Sequence, residues 1–222
     1  MSLDQLDKGV GSVAEAIADI PDGSSIMVGG FGGPGFPAAL VQALADRRAR
    51  RIHVICNNAD LGCLVYEDGL RKLTCSYPVG PTSKPVLEAI EEGTVEIEVI
   101  PQGTLTERIR AAGAGLGGIL TPTGVDAEFG AGYEVIERDG RRFLLAPPLD
   151  ADYAFVRASV GDSWGNLFFR LASRNFNPVM AMAARTTIAQ VDRFVEPGGI
   201  EPDQVHVPGL FVDRVVQVGK EA

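Results

Sequence analysis

Carboxamide side chains stand at two points where a strand-like run gives out: Asn57-Asn58 after RIHVIC, and Gln102 after VEIEVIP. A carboxamide offers donors and an acceptor and stays neutral, so it can orient a carboxylate or thioester carbonyl and donate to a developing oxyanion without titrating. The same residues also suit plain turns. An Asn can close an Asx-turn on its own backbone, and Gln102-Gly103 followed by Thr104 as a cap makes a workable strand-to-helix turn.

A third segment invites a ligand by what it lacks. Residues 25–44, SIMVGGFGGPGFPAALVQAL, run from an apolar stretch through five glycines and two prolines into a helical pattern. Within it GFGGPG, Gly30 to Gly35, satisfies the G-x-G-x-x-G spacing of dinucleotide loops. Such glycines permit positive φ and close approach of a phosphate, and the helix that follows presents amides and a positive dipole end. A dinucleotide site also wants an acid at the end of the second strand to hold a ribose hydroxyl. Asn57-Asn58 occupy that place, and the nearest acid, Asp60, comes late. Spacing alone leaves open a dinucleotide loop, a bare turn or a site for another ligand.

No catalytic group completes these edges. His53 lies inside a strand and His206 in a late loop, neither spaced to pair with Cys or Ser. No H-E-x-x-H motif or Cys/His cluster occurs, which argues against metal chemistry. Cys56, Cys63 and Cys75 are odd in number, show no C-x-x-C spacing and read as reduced, structural thiols on strands or strand edges. Glu91-Glu92, Glu201 and Asp203 read as solvated charge. A ligand-like edge with no acid, base or nucleophile of its own is what half of an active site looks like.

The elements that must position these residues alternate. A helix over 12–20 is followed by a strand at SSIMV, a helix over 36–48 with Pro37 near its first turn, and a strand at 51–56 ending at Asn57-Asn58. YEDGLRKLTCSY reads as a short helix and then a strand over 73–77, followed by a helix over 83–93, a strand over 95–101 and a helix over 103–115. The alternation predicts an α/β fold, an open, largely parallel sheet flanked by helices. Asp139-Gly140 inside YEVIERDGRRFLLA marks an added β-hairpin. A strand at ADYAFVRAS, a helix at NPVMAMAAR with Asn177 as its cap and Pro178 first, and a strand at TTIAQVDRFV complete the pattern. With no linker or repeat, residues 1–222 read as one domain.

Of the 222 residues 45% are hydrophobic, enough for a substantial core, and 29 acids against 20 Lys and Arg give a formal charge of −9. That balance argues against nucleic acid or an anionic membrane as the main partner. The acid-bearing N-terminus lacks a signal-like apolar region and no run is long enough to span a bilayer, so a cytoplasmic protein is expected.

Several segments together resemble the α (A) subunit of the family I CoA-transferases, of the 3-oxoacid type. They are DGSSIMVGGFGGPGFP, VICNNA, VIPQGTLTERIRAAGAG, TPTGV, DGRRFLL, GNLFFRLASRNFNPVMAMAA and HVPGLFVDRVV, in order along nearly the whole chain. The resemblance implies the CoA-transferase (NagB/RpiA-like) fold and transfer of coenzyme A from an acyl-CoA such as succinyl-CoA to a 3-oxoacid such as 3-oxoadipate or acetoacetate. It implies that Gly29, Gly30, Phe31, Gly32, Gly33, Pro34 and Gly35 bind CoA, that Asn57 and Asn58 line the acyl pocket, and that Gln102 is the oxyanion donor. CoA is then a substrate, with no permanently bound cofactor and no metal. The family's nucleophilic glutamate belongs to a β subunit, in a Ser-Glu-Asn-Gly type motif absent here, so a hetero-oligomer (αβ or α2β2) is expected. An acyl-CoA hydrolase of the same fold and a metabolite-binding regulatory module without turnover are the alternatives. NNADLGCLVYEDG and TPTGVDAEFGAGYE depart from the family's usual pattern, near the loops it implies for acyl recognition.

Overall fold

The computed structural model describes residues 6–219. In chain order the main elements are β1 (Gly9–Val10), α1 (Val13–Ala16), β2 (Ser25–Val28), α2 (Ala38–Asp46), β3 (Ile52–Asn58), β4 (Leu70–Tyr77), α3 (Lys84–Glu91), β5 (Glu96–Val99) and α4 (Gln102–Gly113). There follow β6 (Ile119–Thr121), β7 (Glu134–Arg138), β8 (Arg141–Ala146), β9 (Ala151–Asp162), β10 (Leu167–Phe168), α5 (Asn177–Ala183), β11 (Ala184–Val195) and β12 (Arg214–Gln217). The large sheet runs β1-β12-β11-β9-β2-β3-β4-β5 with every neighbouring pair parallel, and β10 adds antiparallel to β9.

Both faces of this sheet are covered, which is why its central strands read as nearly continuous apolar runs. Along β3, Ile52, Val54 and Cys56 pack into the core beneath α1, α2 and α3, while Ile55 joins Met27 in the core beneath α4 and α5. Leu40 and Leu44 of α2 fill the first core, and Leu105 and Ile109 of α4 with Met180 of α5 fill the second. Each such fully buried Leu or Ile contributes about 1.5–3 kcal/mol relative to an exposed one.

The chain order creates one special place. From β2 the chain builds outward through β3, β4 and β5, then returns to lay β9 against the other side of β2 and continues through β11 and β12. The gap between β2 and β9 is therefore a topological switch point, and open α/β sheets bind ligands outside the carboxyl ends of their strands at such points. The Gly29 amide bonds to the Phe155 carbonyl at 2.9 Å, so the glycine stretch leaves β2 at this crevice.

The hairpin forms as expected but belongs to a separate antiparallel sheet, β6-β8-β7. Its turn has positive φ at both Asp139 (50°) and Gly140 (69°), the geometry that matches the twist of two antiparallel strands.

Other expectations need correction. Residues 66–72 form no helix: a turn at 66–69 feeds a strand beginning at Leu70, because pairing with β3 outweighs local helical spacing. The first helix is only Val13–Ala16, held by a bond from the Glu15 amide to Ser12 Oγ, and turns out at Ile17. β3 continues through Asn57 and Asn58 instead of ending before them. Phe176, not Asn177, precedes the first residue of α5, and α4 begins at Gln102 behind Pro101, so Thr104 lies inside the helix and is not its cap. Cys63 sits exposed in a 3-10 turn, while Cys56 and Cys75 are buried on strands.

Candidate functional site

Parallel pairing brings the carboxamides together. Cys56 pairs with Cys75 and Asn58 with Tyr77, which sets Asn57 level with Ser76 at the carboxyl ends of β3 and β4. The Ile100 amide bonds to the Cys75 carbonyl at 2.9 Å, anchoring the exit from β5. Pro101, with φ −51° and an extended ψ, then turns the chain into α4 and presents Gln102 to Asn57.

These residues form one hydrogen-bonded chain. Asn57 Oδ1 accepts from Ser76 Oγ at 2.5 Å and from Gln102 Nε2 at 2.7 Å. Asn57 Nδ2 donates to Asn58 Oδ1 at 2.5 Å, and the same oxygen accepts from the Gly32 amide at 3.0 Å. Asn58 Nδ2 donates to the Val79 carbonyl at 3.0 Å. Both carboxamide oxygens of the Asn pair thus hold two donors each, their full capacity. Asn57 is 1% exposed and orients its neighbours, whereas Asn58 is half-buried and Gln102 exposed. Phe31, Tyr77 and Val79 are exposed apolar side chains surrounding Asn58.

The glycine loop packs tightly on its inner side, where it encloses only about 10 Å³ against Cys56, Asn57, Asn58 and Asp60. That inner side leaves no room for a ligand. On the outer side Gly33 has an ordinary φ and open space where a Cβ would stand, so nothing in the fold requires glycine at that position. Close passage of a ligand would. Gly33, Pro34 and Gly35 border a cavity of about 220 Å³ with Arg157, Ser159, Ser173 and Asp192, in which the Arg157 guanidinium is tied to Asp192 at 3.1 Å. On the other side of Gln102, a cleft of about 420 Å³ opens between α4 and β6, lined by Gly103, Thr104, Glu107 and Thr121. The larger cavity of about 480 Å³, beside Glu67, Asp68 and Glu92, lies at the opposite ends of the strands, away from these carboxamides.

The start of α2 is not open to a phosphate. Gln190, 2% exposed on β11, places Oε1 3.1 Å from the Ala39 amide and caps the helix that Pro37 leaves without a side-chain cap. This occupied amide and the missing acid after β3 weigh against a dinucleotide loop. Gln190 and Ser76 could not be found from local sequence, because Gln190 reaches across the sheet to α2 and Ser76 meets Asn57 only through the register of β4 against β3.

Nor does the site carry an activated thiol. Burial pushes Cys56 well above its ordinary pKa and Cys75 up to about 11, and burial also raises Cys63. Each is protonated at neutral pH, and Cys56 Sγ donates to the Asn58 carbonyl at 3.0 Å, a supporting role. Asp60 braces the adjacent turn by accepting from the Thr82 amide at 3.1 Å. His53 pairs with Thr74 inside the sheet, and His206 accepts from the Phe169 amide through Nδ1, so neither reaches the carboxamides. Among the described residues no group of three or more Asp, Glu, His or Cys is placed to hold a metal, and no helix is long and apolar enough to cross a membrane.

Known proteins resemble this chain in sequence and fold. The chain is 47% identical over 216 residues to the A subunit of 3-oxoadipate CoA-transferase from Pseudomonas putida, covering 95% of this chain and 94% of that one. It is 43% identical over 225 residues to the A subunit of succinyl-CoA:3-ketoacid coenzyme A transferase from Xanthomonas campestris pv. campestris strain B100, covering 96% and 92%. The acyl-CoA transferase YdiF of Escherichia coli O157:H7, in its apoenzyme crystal structure, superposes with a TM-score of 0.84 at 26% identity. That match takes in 96% of this chain but 47% of YdiF, so this chain spans about half of that longer polypeptide. The family model for coenzyme A transferase matches residues 10–218. The chain belongs to the coenzyme A transferase family and is an enzyme of that type.

Proposed function

We propose that this chain is the single-domain α subunit of a two-chain 3-oxoacid CoA-transferase that moves coenzyme A from an acyl-CoA, succinyl-CoA foremost, to 3-oxoadipate or acetoacetate. The observation that carries this reading is a preorganised donor set with no nucleophile: Gln102, Asn57, Asn58 and Gly32 are bonded into one frame, and none of them can attack a thioester. A β subunit supplies the attacking glutamate. The naming of the relatives as A subunits, and the coverage of only 47% of YdiF, support a second polypeptide. The exposed Phe31, Tyr77 and Val79 around Asn58 suit burial against it.

In this reaction the partner's carboxylate attacks the thioester carbonyl, forming an acyl-glutamyl anhydride and releasing CoA thiolate. The thiolate attacks the glutamyl carbonyl, freeing the first acid and leaving a glutamyl-CoA thioester; the acceptor acid then takes CoA by the reverse sequence. Gln102 uses its second Nε2 proton to steady the oxyanion as each tetrahedral centre forms. Asn57 fixes the orientation of Gln102, Asn58 orders the loop through Gly32 and borders the acyl group, and the outer side of Gly29 to Gly35 receives CoA. The 220 Å³ cavity beside this loop is below the usual 300–1,000 Å³ range of a complete ligand pocket, as expected of a shared one.

The test is reconstitution. This chain, the β subunit that co-purifies with it, and the two together are assayed with succinyl-CoA and either acid. Transfer should need both chains, and activity in this chain alone would refute the shared site. Free CoA released without an acceptor would identify a hydrolase, and binding without turnover in the complex a regulatory module.

A further inference from the structure

We infer that Asn177, the first residue of α5, is the positioning residue that clamps the glycine loop from behind. Asn177 is 0% exposed and joins the glycine loop, β9 and the turn four residues before it. Its Nδ2 donates to the Gly35 carbonyl at 3.1 Å and to the Ser173 carbonyl at 2.9 Å, with a longer approach of 3.4 Å to Asn175 Oδ1. Its Oδ1 accepts from the Arg157 amide of β9 at 3.0 Å. One carboxamide thereby fastens the loop to β9, across the switch point, and to the 3-10 turn at Leu171–Arg174.

The loop's first and last glycines fit around this side chain. A Cβ at Gly29 would stand 1.9 Å from Asn177 Oδ1, and one at Gly35 2.6 Å from Nδ2 and 2.7 Å from the Ser173 carbonyl. Asn177 demands the bareness of Gly29, and shares the demand at Gly35 with the Ser173 backbone and a φ of 74°, whereas nothing in the fold demands it of Gly33. The five glycines therefore divide into some that seat the loop on its clamp and others left to face a ligand. A buried Asn suits the clamp because it alternates donor and acceptor over a short span; an aspartate would set carboxylate oxygens against two carbonyls.

The kinetic half of this inference rests on the proposal that the loop receives CoA; the structural half does not, and the experiment separates them. Hydrogen exchange is followed in the full chain and in its complex with the β subunit, for wild type and Asn177→Asp. Peptides spanning 29–36 should exchange about tenfold faster or more in the variant, with those of β3 and β4 unchanged. In the complex, KM for acyl-CoA should rise about tenfold while kcat changes less than about threefold, a split that a merely destabilised fold would not give. Wild-type protection of the loop in the folded variant would overturn the clamp. Faster exchange with unaltered kinetics would support the clamp and instead remove the loop from the CoA site. Where Asn177→Asp does not fold, Asn177→Ser provides the same comparison. In the wild type the Asn177 side-chain amide protons should exchange as slowly as the backbone of α5, and fast exchange there would also overturn the inference.

Discussion

Gln102 Nε2 lies 2.7 Å from Asn57 Oδ1, joining the first residue of α4 to the end of β3 across an intervening strand. One of its two donors is thus committed, fixing the plane in which the other points. Gln102→Ala should lower kcat of the assembled transferase by roughly 10²-fold with little change in KM for acyl-CoA, the loss expected for one preorganised oxyanion donor. Steady-state kinetics at saturating acyl-CoA decide this. An unchanged kcat would return Gln102 to a turn residue.

Ser76→Ala removes the other donor to Asn57 Oδ1. Stability by urea unfolding should fall by about 1 kcal/mol, the usual net worth of such a bond. Turnover should fall less than for Gln102→Ala, and the double variant should fall short of the product of the single effects, since both act through Asn57. Strict additivity would separate Ser76 from the site.

Gly33→Ala distinguishes fold from ligand. With an ordinary φ and no atom within 4 Å of the new Cβ, the variant should unfold at the same temperature as wild type or slightly higher. KM for acyl-CoA should nevertheless rise severalfold. A lower Tm would show that the loop itself needs this glycine; unaltered kinetics would show that no ligand passes there.

His53 predicts a pH dependence of stability. The Thr74 hydroxyl donates to Glu98 Oε2 at 3.0 Å, so His53 Nε2, 2.9 Å from Thr74 Oγ1, is the donor in that contact. Burial, reinforced by Lys72 and Arg71 and opposed by Glu98 and Glu96, lowers its pKa from 6.5 to about 4. The native pKa is below the unfolded one, so the unfolded chain takes up the proton first. The stability contributed by neutral His53 is therefore complete above about pH 6.5 and declines as pH falls towards 4. Burial shifts His206 in the same direction, adding to the slope. His53→Gln should flatten the stability curve from urea titrations across that window, and an unchanged slope would contradict the burial account.

The alternation of strands and helices was legible because apolar runs and their breakers are local signals. Asn57, Asn58, Gln102 and the glycine loop could be picked out as candidates because they stand at or just beyond strand ends, where a parallel sheet gathers its ligands. Their mutual bonding was not legible, since it depends on the register of β3 against β4 and on the turn at Pro101. The helix expected over 66–72 failed for a related reason: the strand read from Leu73 onward begins three residues earlier, because Leu70 pairs with Ile52 and Lys72 with His53. The short strands β1, β10 and β12 escaped notice because two to four residues carry no period to read. Asn177 lies far from Gly29 and Gly35 in sequence, and its contacts exist only once β9 and α5 have closed over the loop.

The filled oxygens of Asn57 and Asn58 give this pair a one-way polarity. With two donors already on each carboxamide oxygen, the Asn pair has only N–H left to show a newcomer. Carboxylates, thioester carbonyls and the oxygens of a tetrahedral adduct can answer an N–H; an ammonium or a guanidinium cannot. The Asn pair therefore holds no free acceptor of its own to offer an amino group.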